Sequence, residues 1–131
     1  ARSKQSECKV NLKAAFTAQR AYQLDKNDYG DTAEDIGFAP ERGNRYLYLV
    51  GSSRIAPTAQ QAETASALLQ RAPPNLVEEV GKQGNCPDDC SVVMACVGNI
   101  DNDSTVDVWT ISTKDRPGAN RGTPLKFVSD L

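Results

Sequence analysis

Residues 1–29, ARSKQSECKVNLKAAFTAQRAYQLDKNDY, decide how this chain is read. On a helical wheel Cys8, Leu12, Ala15 and Tyr22 fall on one stripe, with Phe16 at its edge. Val10, Ala14, Ala18 and Ala21 fall on roughly the opposite side, and Lys9, Lys13 and Arg20 share the arc between them. An ordinary surface helix carries one apolar stripe. Two stripes of different texture imply two clients. The bulky one suits the protein's own core, and the small-residue one lets another helix approach closely. The plainer account is that alanine is a good helix former at exposed sites. The pattern opens at Ala1 without a Met and without a clear cap residue, so an upstream piece is expected. Turn formers cluster at residues 27–30, where the helix should end.

The rest of the composition narrows the class. A chain of 131 residues is expected to form one domain with one modest core. Hydrophobic content of 39% with 6% aromatics implies a thin core of β-branched and aliphatic residues. The net charge of −2, with basic residues scattered, argues against a dedicated nucleic-acid surface. No apolar run within these residues is long enough to span a bilayer, and none of them reads as a signal peptide. Histidine is absent, which removes the commonest general base and the commonest metal ligand.

Four cysteines remain: Cys8, Cys86, Cys90 and Cys96. An even number in a small domain favours disulfides and an oxidising compartment. A four-cysteine zinc site usually brings paired CxxC knuckles; CPDDC is a CxxxC, and Cys8 has no close partner. A redox pair is disfavoured too, because no CxxC stands at a helix start within a βαβ pattern. Cys86–Cys90 reads as a local structural loop. Cys96 lies mid-strand and Cys8 on the bulky helix face, so a Cys8–Cys96 bridge would staple helix to sheet. Cys86–Cys96 with two free thiols is the alternative.

Along the chain, a loop at 31–44 is broken by Gly37, Pro40 and Gly43. Residues 45–50 (RYLYLV) read as a strand. Residues 57–72 read as a second helix, with Thr58 and Gln61 at capping-box spacing and Pro73-Pro74 as its stop. Asn75 and Glu78 repeat that spacing for a short helical piece ending at Gly81. Residues 91–97 (SVVMACV) and 106–112 (VDVWTIS) are strands joined by a turn at 98–104, and 126–131 is a last strand. One long helix followed by strands in sequence implies an α+β fold. The expected architecture is a long N-terminal helix packed on a four-stranded antiparallel sheet, with an inserted helix between the first and second strands. The single domain spans 1–131, with 1–29 as the helix and 45–131 as the sheet and its connecting loops.

Catalytic constellations are missing. Without His there is no Ser-His-Asp or Cys-His set, and no Gly-rich phosphate loop occurs. Glu78-Glu79 and Asp88-Asp89 are adjacent pairs, and adjacent helix residues do not face each other. The densest set of oxygen ligands is Asp101, Asp103, Thr105 and Asp107, at alternate positions as in the start of a calcium loop. The sixth and twelfth positions are Val106 and Ser112 rather than the Gly and Glu of an EF-hand. A plain acidic turn is the simpler reading.

These residues resemble a known family. The run at 1–29 is similar to the second half of the long N-terminal helix of type IV pilins of the type IVa class. IGFAPERGNRYLYLV resembles the loop and first strand that follow in one bacterial branch, and ACVGNIDNDSTVDVWTIS resembles that branch's second and third strands. The stretch from Ser52 to Gly84 matches less clearly and looks like a lineage-specific insertion. The resemblance implies a helix packed against a four-stranded antiparallel sheet. It also implies an upstream prepilin peptidase site and an apolar helix half that anchors the subunit in the inner membrane and then forms the filament core. The family often pins its C-terminal region with a disulfide; here the cysteines lie before the third strand and on the helix, a departure that leaves the CxxxC closing a loop at the sheet edge as an alternative.

The function so implied is that of a structural subunit of a type IV pilus, acting by polymerisation for surface motility, adhesion or DNA uptake, and not an enzyme. Its partners would be other pilin subunits, the pilus assembly machinery and the inner membrane, with no cofactor, and this shortened form would be monomeric. The location would be an extracellular filament with a membrane-anchored precursor pool and a periplasm-facing head. Val10, Ala14, Ala18, Lys9, Lys13 and Arg20 are the subunit-interface candidates, with Asp25, Asp28, Asp31, Glu34 and Asp35 as acidic counterparts. Two alternatives stand beside this. A type II secretion pseudopilin shares the fold and would favour calcium at Asp101, Asp103 and Asp107. A small secreted disulfide-bonded binding domain would have a natural helix start.

Overall fold

Leu47 to Val50 is buried at every position, although alternate residues of a strand point to opposite faces. A strand buried on both sides needs cover on both sides. The computed structural model, which describes residues 2–99 and 105–128, supplies it with helices above and below one sheet.

The elements run α1 (Arg2–Lys26), α2 (Ala33–Ile36), β1 (Leu47–Val50), β2 (Ser53–Ile55), α3 (Ala65–Arg71), α4 (Leu76–Glu79), β3 (Gly81–Asn85), β4 (Asp89–Gly98), β5 (Asp107–Ser112) and β6 (Leu125–Val128). All the strand pairs described are antiparallel, in the order β2-β1-β4-β5-β6, with β3 also paired to β4. β4 is the spine: its first half takes β3 and its second half β1 on one edge, while β5 runs along the other. The α+β architecture is the expected one, and β1, β4, β5 and β6 are the four expected strands. β2 and β3 are additional short strands; β2 lies within 52–84, the stretch expected to be an insertion, and β3 begins in it and ends one residue past it.

One core layer lies under α1. Cys8, Leu12 and Ala15 pack on Tyr46, Tyr48, Met94, Cys96, Trp109 and Ile111. The other layer lies under α3 and α4, where Leu68 and Leu76 pack on Leu47, Leu49, Ala95, Val97 and Val108. The insertion therefore roofs the sheet face turned away from α1. This explains why SVVMACV is continuously apolar rather than alternating.

Local chemistry corrects two boundaries. The second helix starts after Thr64, whose hydroxyl accepts from the Ala67 amide, and not at 57. Thr58 is engaged elsewhere: its hydroxyl bonds the buried Asn44 side chain and accepts from the Gly43 amide. The Asn75 side chain makes no capping bond to the short helix α4, which is nonetheless present. The loop at 31–44 holds an unforeseen helix, α2, with a capping box between Thr32 and Asp35. α1 ends at Lys26, and Asn27 takes a left-handed φ of 58°. No helix among the described residues is long and apolar enough to cross a membrane.

Candidate functional site

α1 is 25 residues long, about 37 Å at 1.5 Å per residue. Three links fix its rotation on the sheet, and a fourth ties it to the loop that follows. Gln5 Nε2 donates to Asp107 Oδ1 at 3.1 Å. Cys8 is bonded to Cys96 of β4. Asn11 Nδ2 donates to the Tyr48 hydroxyl at 2.7 Å. Gln19, fully buried, donates to the Gly30 carbonyl at 2.9 Å and accepts from the Gly30 amide at 2.8 Å. This clamp folds the chain back against the helix. Packing of α2 leaves no room for a side chain at Gly30, where a Cβ would stand 2.6 Å from Ile36 Cγ2.

Asp107 is wholly buried and its oxygens accept from three side chains on separate segments. The Gln5 amide meets one oxygen; the Tyr46 hydroxyl at 2.9 Å and the Trp109 indole N–H at 2.8 Å meet the other. Burial, and then the carboxylate beside it, pushes the Tyr46 phenol well above its ordinary pKa. Tyr48 is also raised, chiefly by burial, against the opposing bond from Asn11. Asp107, expected as a candidate metal ligand, thus faces the core. Asp101 and Asp103 lie outside the described residues. Among the described residues no three His, Cys, Asp or Glu side chains are grouped as a metal site.

The opposite side of α1 is open. Val10 is 65% exposed and Leu24 76%. Ala14, Thr17 and Ala21 between them are exposed too, and Ala18 is half-buried. At 100° per residue these positions share one outward stripe, turned away from Cys8, Leu12 and Ala15. Among the six interface candidates, Val10, Ala14 and Lys13 face outward. Arg20 is half-buried. Lys9 turns inward, with its ammonium 4.4 Å from the centre of the Trp109 ring, a distance at which cation and ring attract.

The flanks of the stripe differ in charge. On the β5 side stand Lys9, Lys13 and Arg20, with Lys126 of β6 also over the Trp109 ring at 5.6 Å. On the β1 side stands the 28–44 segment. Glu7 is tied to Arg45 there at 3.1 Å. Most of its acidic groups have local duties. Asp31 accepts from Ser52, Asp35 caps α2, and Asp28 lies 3.5 Å from Lys82. Asp25 lies beside Lys26 at the end of α1. Glu34 and Glu41 are exposed, and no partner is described for either. Between α1 and this segment runs a groove of about 580 Å³ lined by Ser6, Glu7, Val10, Asn11 and Glu41, among others.

The cysteines form two bridges, Cys8–Cys96 and Cys86–Cys90. The first is buried where helix meets sheet; the second closes the β3–β4 hairpin and is half-exposed. Gln5, Gln19 and Trp109 were not anticipated in these roles. For Gln5 and Gln19 a signal existed, since both are polar residues on the buried stripe. Their partners, Asp107 and Gly30, were not legible.

A family model described as type IV pilin PilA matches residues 1–68 of the chain. A type IV major pilin protein PilA from Myxococcus xanthus is 60% identical over 53 residues, 40% of this chain. That match covers 24% of the relative, so the chain spans about a quarter of its length.

Proposed function

The chain belongs to the type IV pilin PilA family, and on that premise we propose that it is the subunit of a type IV pilus filament. It acts by polymerising, in surface motility, adhesion or DNA uptake. The observation that supports this is the division of α1. One face is bolted to the sheet by a disulfide and by the Gln5 and Asn11 side chains, and Gln19 on that face holds the loop that follows the helix. The other leaves Val10 and Leu24 in water. Small residues between these two exposed apolar side chains, Ala14, Thr17 and Ala21, allow another helix close approach.

The partners are further copies of the chain, delivered by an assembly machinery from a pool anchored in the inner membrane. Each copy presents one surface to the next and receives the next on a different one, which generates an open helical filament rather than a closed ring. Charged pairs at the rim contribute about 0–1 kcal/mol each, but every subunit repeats them. The test is genetic. A full-length gene carrying this sequence should restore surface filaments to a cell deleted for its own major pilin. Stable protein without filaments would contradict the reading.

A further inference from the structure

We propose that the hollow between the β1–β2 turn and α4 is a binding site for a small aliphatic carboxylate. The inference goes beyond the pilin reading and makes no use of α1. The hollow lies on the sheet face that α3 and α4 roof, the face turned away from the long helix. Its volume is about 360 Å³, toward the small end of the range for ligand sites, about 300–1,000 Å³. Leu49, Gly51, Ser52, Arg54, Val77 and Val80 line it.

Strand register builds the site. Leu49 and Arg54 are paired directly across β1 and β2, so both side chains stand on the same face of the sheet. Leu49 is buried and forms the floor. Arg54, on the short edge strand, is exposed. Val77 of α4 and Val80 at its end close the other side, and Val77 is 51% exposed. The floor and one wall are thus apolar, and the facing wall carries a guanidinium.

That guanidinium lacks a counter-charge. Among the described residues Arg54 enters no ion pair and its side chain makes no hydrogen bond. The rim is also held in place without a ligand. The Ser52 amide donates to the Asp31 carbonyl at 2.9 Å, and the Ser52 hydroxyl donates to the Asp31 carboxylate at 3.0 Å. Gly51, at a φ of 56°, passes so close to the Asp31 carbonyl that a Cβ would collide with it. A turn already fixed loses little further freedom on binding.

Charge and size select the occupant. A guanidinium offers a carboxylate two parallel N–H donors. An aliphatic chain laid on Leu49, Val77 and Val80 takes their surface out of water. A neutral alcohol leaves Arg54 unpaired, and an amine brings the wrong charge. A folded protein partner would call for a contact of about 800 Å² on this side, more than the hollow offers.

The experiment titrates octanoate, octanol and octylamine into the isotope-labelled chain and follows the backbone amide resonances. Octanoate should move the amides of residues 49–54 and 77–80 saturably. Octanol should bind at the same place about five-fold more weakly, and octylamine should not saturate. Arg54→Gln should weaken octanoate about five-fold and leave octanol unchanged, whereas Val77→Ser should weaken both. Thermal melts check folding, and if Arg54→Gln melts early, Arg54→Lys replaces it and should give an intermediate affinity for octanoate. No saturable shift with octanoate, shifts centred elsewhere on the chain, or equal affinity for octanoate and octanol overturns the proposal. So does an octanoate affinity that Arg54→Gln leaves unchanged.

Discussion

Gln5 and Asp107 are 102 residues apart in sequence and joined by a 3.1 Å hydrogen bond across the interface of helix and sheet. Asp107 also takes the Tyr46 hydroxyl and the Trp109 indole N–H. One buried carboxylate thus gathers α1, the entry to β1 and the start of β5. Burying an ionised group is tolerable only when it is fully bonded. Asp107→Ala would leave three buried donors without their acceptor. The expected loss of stability is about 3–5 kcal/mol, read from denaturant melts. A loss under about 1 kcal/mol would show that the network is incidental.

The two disulfides should differ in weight. Cys8–Cys96 closes 88 residues and Cys86–Cys90 only 4. In the chain-entropy model these are worth about 4–5 and about 2 kcal/mol. Cys8→Ala/Cys96→Ala should therefore lower stability roughly twice as much as Cys86→Ala/Cys90→Ala. Mild reductant should open the half-exposed pair first, as a non-reducing peptide map would show.

Gln19 should be intolerant of change. Gln19→Ala strips both the amide and the carbonyl of Gly30 of their partner, at an expected cost of about 2–4 kcal/mol. Faster amide exchange at Gly30 and in α2 should accompany the loss.

High pH should unfold the protein early. An unfolded tyrosine releases its proton near 10, whereas Tyr46 and Tyr48 hold theirs when folded. Above pH 10 the unfolded state therefore binds fewer protons, and stability falls by about 1.4 kcal/mol per pH unit for each of the two. Below pH 10 the two phenols contribute no pH dependence. Tyrosinate absorbance and far-UV circular dichroism should change together above pH 10. Normal titration of all tyrosines before unfolding would contradict this.

The helix was legible because its period was: Cys8, Leu12 and Ala15 repeat at helical spacing, and with Cys96 mid-strand the staple was one of two pairings left open, the other being Cys86–Cys96. The roof over the second sheet face was not foreseen. RYLYLV and SVVMACV have the unbroken apolar character of strands covered on both sides, but nothing in 52–84 says which face its helices will take. The start of α3 was misplaced because Thr58 has capping-box spacing, while the residue that claims its hydroxyl, Asn44, comes from a distant loop. Asp107 stood in a run of turn-forming acids. Two of its three partners lie 61 and 102 residues away, beyond any local pattern; only Trp109, two positions on, is local. The Thr32–Asp35 box was a local signal passed over inside a stretch rich in glycine and proline.

The division of α1 into an inward and an outward face is most directly tested by Ala14→Glu. Ala14 is exposed on the outward stripe beside Val10, so the variant should fold with stability within about 0.5 kcal/mol of wild type. In a neighbour's contact the same carboxylate would be buried without a partner. Filament yield is then measured by electron microscopy and sheared-fraction assay alongside the melt. The expected result is an unchanged melt with filaments lost. Wild-type filament yield from a folded Ala14→Glu protein would contradict the account.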